Sequence, residues 1–271
     1  MKRAIIVFSV YEKEFRSQLY DHYHAVCPKE FSKYLRENPL QLPFDPKTPL
    51  LQEAIELLEK NSIRYRLGAR VHYTKKELDS IRYFQVVLPH PLEMEGATLY
   101  DYESNYVGRC PNCGFGGTLI GDALVDRKFM KKAKIGVLSP EHFVSEEVKN
   151  LIEANGLTGV TFGPRVNDYK GRDMASFYVM RVQSILPPAN ESTFIEPDDS
   201  KYKDSCGHHV PYLLSDLQYD TEKLNHAMDF NLTHEYFDND VMRKLVVSAR
   251  VKKLFQENHI RVYHYEPVAL L

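Results

Sequence analysis

Residues 109 to 117 read RCPNCGFGG, and a C-x-x-C pair followed at once by glycine can place two thiolates on one metal ion. A zinc ion whose role is structural takes four protein ligands, so Cys110 and Cys113 form half of such a site. Redox use would want the motif to open a helix after a strand. Here Gly114, Gly116 and Gly117 follow instead, and glycine lets backbone amides turn toward thiolates as a metal knuckle requires. The second half is sought among the remaining cysteines and histidines. Cys206 and His209, in KDSCGHHV, have a C-x-x-H spacing that chelates one ion about as well as C-x-x-C. His208 is the nearest competitor for the fourth position, and His24 with Cys27 in HYHAVC forms another pair of suitable spacing. We rank His209 first, then His208, then the N-terminal pair. A shell of three thiolates and one imidazole leaves no position for water, so the expected ion is a structural Zn2+ that cross-links remote segments and contributes to folding.

Other chemistry finds little footing. A zinc deaminase needs H-x-E ahead of its P-C-x-x-C, whereas the one H-x-E, His264 to Glu266, follows every cysteine. His234-Glu235 lacks the second histidine of H-E-x-x-H, and no nucleophile elbow, Walker loop or dinucleotide fingerprint is present. The expectation is a protein without catalytic residues. The basic stretch DRKFMKKAKIG, residues 126 to 136, supports an alternative reading as a nucleic-acid-binding zinc ribbon that would use Lys131 and Lys132. Against it, 35 lysines and arginines meet 37 aspartates and glutamates, so no global field draws the chain to nucleic acid or to an anionic membrane. A metal-dependent enzyme comes third. Eighteen tyrosines and 14 phenylalanines could furnish a protein-binding face, and YDYESNYVG, residues 100 to 108, is the candidate contact loop.

The elements that must position these residues are legible as a repeat. TPLLQEAIELLEKNSI has Thr48 as N-cap, Pro49 in the first turn and apolar residues at helical spacing. VSEEVKNLIEANGLTGVTFGPRV repeats the plan with Ser145 as N-cap, a helix ending near Asn155 and a strand from Leu157. VSARVKKLFQENHIRVYHYEPV repeats it again without a gap: Ser145 and Ser248, Val148 and Val251, Lys149 and Lys252, Asn155 and Asn258 all lie 103 apart. Asn61 stands 94 before Asn155, and YFQVVLP after the first unit parallels FYVMRVQSILP after the second. An offset near 94 carries Cys113 close to Cys206, with Lys203 where a second Cys110 would be. The expected fold is α+β: two related halves, residues 1–135 and 136–271, each a helix leading into antiparallel strands, joined by a zinc-ribbon-like site and closed by a C-terminal helix-strand unit. The apolar run AIIVFSV is too short to span a membrane and lacks a secretory cleavage signal, so it reads as a strand. Four cysteines are too few for a disulfide scaffold, and the expected address is the cytoplasm.

CPNCG, the later SCGHH, and the phrases LIEANGLTGVTFGPRV and YHYEPV together resemble the bacterial double-CxxCG motif proteins. Some proteins of that kind look like immunity proteins of polymorphic toxin systems. The resemblance covers roughly residues 48 to 271 and departs from the family at Lys203, where the second motif should have its first cysteine. It implies a zinc-containing, non-enzymatic protein that binds and neutralises a cognate toxin.

Overall fold

A computed structural model describes residues 3–10, 40–44, 49–62, 65, 67–89, 106–111, 116–121, 123–125, 133–138, 141–168, 176–193, 195–196, 212–237 and 243–271. Within them the protein is α+β, with four helices and mainly antiparallel sheets. It divides into two compact units. Residues 1–80 with 192–196 and 213–216 form one, and residues 81–191 with 197–212 and 217–271 form the other.

In the first unit, strands β1 (Arg3–Val10), β2 (Leu40–Phe44) and β3 (Leu67–His72) make a three-stranded antiparallel sheet in the order β2-β1-β3. Helix α1 (Pro49–Lys60) buries Ala54 and Leu58, four residues apart on one stripe. A short helix, α2 (Lys75–Ser80), follows β3. Its first turn carries a capping box, since the Thr74 amide donates to Glu77 Oε2 at 2.8 Å while the Glu77 amide donates to Thr74 Oγ1 at 3.3 Å. The Val71 amide donates to the buried carboxylate of Asp216 at 2.9 Å, which ties segment 213–216 to β3.

The second unit opens with β4 (Tyr83–Val87), then β5 (Tyr106–Arg109), β6 (Gly116–Leu119) and β7 (Ala123–Val125). A first full motif follows: β8 (Ile135–Leu138), β9 (Glu141–Ser145), α3 (Glu146–Ala154), β10 (Val160–Asp168) and β11 (Phe177–Val182). Strand β12 (Ile195–Glu196), which belongs to the first unit, pairs with β13 (Tyr212–Leu213), and β14 (Gln218–Tyr219) then leads to the second motif. That motif comprises β15 (Phe230–Tyr236), β16 (Arg243–Ser248), α4 (Ala249–Glu257), β17 (His264–Pro267) and β18 (Ala269–Leu270).

The repeat seen in the sequence is matched bond for bond. Ser145 and Ser248 cap α3 and α4 with φ −69° in both, each side chain accepting from the amide three residues on, Val148 or Val251. The Ser145 amide donates to Lys134 O and the Ser248 amide to Asp229 O; the next amides, of Glu146 and Ala249, donate to Ser176 O and Arg82 O. Both helices stop in the same way. Asn155 Nδ2 bonds Leu151 O and Asn258 Nδ2 bonds Leu254 O, the following residue takes a left-handed conformation, and Leu157 or Ile260 then donates to Ile152 O or Phe255 O. This is a Schellman closure, with the apolar partners Leu157–Ile152 and Ile260–Phe255 buried beside it. Helix α1 ends alike, through Asn61 Nδ2 to Leu57 O and Ser62 at φ 53°.

Helices α3 and α4 each lay a lysine on two rings of the sheet beneath. Lys149 Nζ is 5.8 Å from the Phe162 ring and 5.5 Å from Tyr178, and Lys252 Nζ is 3.7 Å from Phe84 and 5.9 Å from Tyr265. The lysines and the pair Phe162–Tyr265 keep the 103-residue offset, while Phe84 and Tyr178 are 94 apart. One apolar cluster serves both motifs, drawing Val144, Val148, Ile152 and Leu157 from the first and Val247, Val251, Phe255 and Ile260 from the second.

The motifs meet at the phrase GLTG. Phe230 donates to Thr158 O, Leu232 to Ser184 O and Leu186 to Leu232 O, so backbone from the α3–β10 turn and from the stretch after β11 holds β15. Asp229, 7% exposed in its side chain, accepts from the Thr158 amide at 3.0 Å, the Thr158 hydroxyl at 3.2 Å, the Ser248 hydroxyl at 2.7 Å and Arg250 at 3.2 Å. A Cβ at Gly159 would stand 2.2 Å from Phe230 O, so only glycine allows this approach. The resemblance-bearing phrase therefore has a packing role inside the fold.

Asp229→Ala removes the shared acceptor of Thr158, Ser248 and the exposed Arg250, so it should cost about 1–3 kcal/mol in denaturant unfolding. Left-handed backbone is costly for side-chain-bearing residues, and Gly156 stands where the other helices have Ser62 and His259. His259→Gly should stabilise by about 0.5–1 kcal/mol and Gly156→Ala should destabilise by a similar amount. Burial lowers the pKa of His142, on β9 between Val137 and Met180, to about 4 from its ordinary 6.5. The folded chain thus keeps it neutral while the unfolded chain takes a proton. Its contribution is complete above pH 6.5 and falls away as pH drops toward 4, by up to about 3 kcal/mol at about 1.4 kcal/mol per unit. His142→Leu should flatten that slope in chemical-denaturation midpoints measured from pH 7 to 4.5.

Candidate metal centre

Cys110, the first residue of the C-x-x-C motif, follows the first strand of a β-hairpin. Strands β5 and β6 pair antiparallel through Tyr106–Leu119, Val107–Thr118 and Arg109–Gly116, so residues 110 to 115 form the connection and Cys110 follows β5 directly. Cys110 is half-buried. Gly108 and Gly117, between the last two pairs, both have positive φ, 79° and 95°, which bends the arms where they approach the loop. A cysteine at the end of a hairpin strand suits a metal knuckle, in which backbone amides point at thiolate sulfur.

The hairpin is moored to the five-stranded sheet, whose order is β7-β10-β11-β9-β8. Strand β7, three residues past the hairpin, runs parallel to β10 with Ala123 opposite Val166 and Val125 opposite Asp168. Leu119 is buried, and its carbonyl accepts from Arg181 of β11 at 3.2 Å. The same guanidinium lies near Glu141, whose carboxyl is pushed up by burial and drawn partly back by Arg181. Arginine is well suited to this double role because its fork of donors stays charged when half-buried.

Of the sequence-predicted ligands, only Cys110 lies within the described residues. Cys113, Cys206 and His209 fall outside them, as do His208, His24 and Cys27. Among the described residues no group of three or more histidine, cysteine, aspartate or glutamate side chains is assembled for a metal. The described donor set therefore fits zinc as far as one thiolate at a hairpin turn. From the contact loop, Tyr106 to Gly108 are in β5, while residues 100–105 lie outside; Lys131 and Lys132 do as well. The neighbouring Lys134 pairs with Glu147 at 2.6 Å.

Two apolar residues on this hairpin are exposed: Val107, 55%, which lies in the contact loop expected from the sequence, and Ile120, 54%, which the sequence did not single out. Only the pairing register could have separated them from the buried Leu119. No helix among the described residues is long and apolar enough to cross a membrane.

No family model matches the chain, and no curated protein matches it. The functional reading rests on the residues themselves.

If the hairpin holds zinc, Cys113→Ser should lower zinc per chain and the thermal midpoint together, as read by elemental analysis and differential scanning calorimetry. Unchanged values in both would remove the metal from this site. A thiolate-bound structural ion is released only at mildly acid pH or to strong chelators, so EDTA treatment should shift the same transition.

Proposed function

We propose that the chain is a non-enzymatic protein-binding module stiffened by structural zinc, of the immunity type, which neutralises a cognate toxin by binding it. The observation that carries this reading is the β5–β6 hairpin: Cys110 directly follows its first strand while Val107 and Ile120 offer apolar side chains to solvent. Protein interfaces commonly centre on a few apolar anchors held on a rigid support, and a metal-closed loop would supply the rigidity. On this reading the ion is held by Cys110, Cys113, Cys206 and His209, all four assigned from the sequence pattern. Resemblance to double-CxxCG proteins at CPNCG and SCGHH supplies the toxin as partner. The GLTG phrase lends that identification less weight, because its residues are committed to the joint with Asp229 and Phe230.

The test is capture of partners from the source cell on immobilised full-length chain, followed by mass spectrometry, with Val107→Asp and Ile120→Asp as comparison baits. One toxin-like protein retained by the natural chain and lost at least tenfold on both variants, with zinc content and melting unchanged, is the expected result. Salt-sensitive retention of RNA or DNA, abolished by replacing Lys131 and Lys132, would instead establish the nucleic-acid reading.

A further inference from the structure

The second motif of the larger unit has a strand that is not its own. In the first motif the sheet runs β8-β9-β11-β10, all four strands following one another within residues 135–182. In the second the order is β15-β16-β4-β17, and the position of β11 is taken by β4, from far upstream. The substitution is exact in register. Val144 faces Tyr178 and Val247 faces Phe84; Ser145 faces Phe177 and Ser248 faces Tyr83; Met180 and Val86 are the respective partners of Phe162 and Tyr265 on the other flank. Tyr83 and Phe177 are 94 residues apart, the same offset that relates Asn61 to Asn155. By sequence, then, β4 is the last strand of the repeat that begins with α1 and β3. Among the described residues it is not in the sheet of β3, which holds β2 and β1.

We propose that β4 is a donated strand, and that the slot it fills between β16 and β17 accepts the β4 of a second copy of this chain. The slot recognises its occupant through backbone bonds on both edges and through buried Tyr83, Phe84 and Val86, contacts that are the same whichever chain supplies them. Strand exchange of this kind costs little beyond the change in chain connection, so the balance between closed monomer and exchanged dimer is set by concentration during folding. The monomer's own β4 excludes a rival once folding is complete.

Gln85 faces Val246 across β4 and β16, which gives the test. Full-length Gln85→Cys and Val246→Cys chains are refolded together from denaturant in a glutathione redox buffer, and interchain links are mapped by mass spectrometry. The expected product is a one-to-one covalent dimer joined between positions 85 and 246, rising with chain concentration and absent when the two proteins are mixed already folded. A single chain carrying both substitutions must close the bridge internally. If it does so while co-refolding yields no interchain bond of that kind, the strand is never accepted from another copy and the proposal is overturned. If it does not, the register assigned to β4 is wrong and the proposal falls with it.

Discussion

The larger unit depends on the backbone bonding of β4 along both of its edges. Residues 83–86 face β16 on one side, and residues 84–87 face β17 on the other. Four of the five residues of β4 are buried, and Phe84 and Val86 reach the shared core. Without that strand, β16 and β17 would each expose an unpaired edge, and α4 would lose part of the floor on which Lys252 and Phe255 rest. Helix α4 lies over β16 and β4 just as α3 lies over β9 and β11. The second motif is complete only because an earlier part of the chain enters it.

What joins the two motifs is chemically different from what builds each one. Inside a motif, serine caps, asparagine-ended helices and lysine-on-ring contacts recur at fixed offsets. The joint is particular: Asp229 has Lys134 as its counterpart in the first motif, as the matching Ser145 and Ser248 amide bonds show. A carboxylate at that place gathers the Thr158 amide and hydroxyl, Ser248 and Arg250, close to the N-terminus of α4 where negative charge is favoured. Duplicated elements thus became distinct at the contact between them.

Much of the local structure was legible because it is governed by neighbours in sequence. Ser145 and Ser248 cap helices, and Asn155 and Asn258 end them, through bonds spanning three or four residues. The strand expected from Leu157 begins instead at Val160, since Leu157 closes the Schellman turn and Thr158 and Gly159 are engaged with Asp229 and β15. The path of β4 could not be read, because its apolar run fits any sheet slot of the same shape and the choice among them is made by contacts far along the chain. Of the candidate metal centre, the sequence indicated the half at Cys110, and the pairing of β5 with β6 supplies its hairpin setting.

The order of synthesis gives the placement of β4 a further meaning. On the ribosome this strand is made before either of its flanking partners, and the whole stretch from Leu88 to Met242 must be added before β16 begins. At translation rates of about 5–20 residues per second, that interval is on the order of ten seconds. Throughout it, the aromatic and aliphatic residues of β4 have no partner strand in the nascent chain. The strand can enter its sheet only after β16 and β17 have been made.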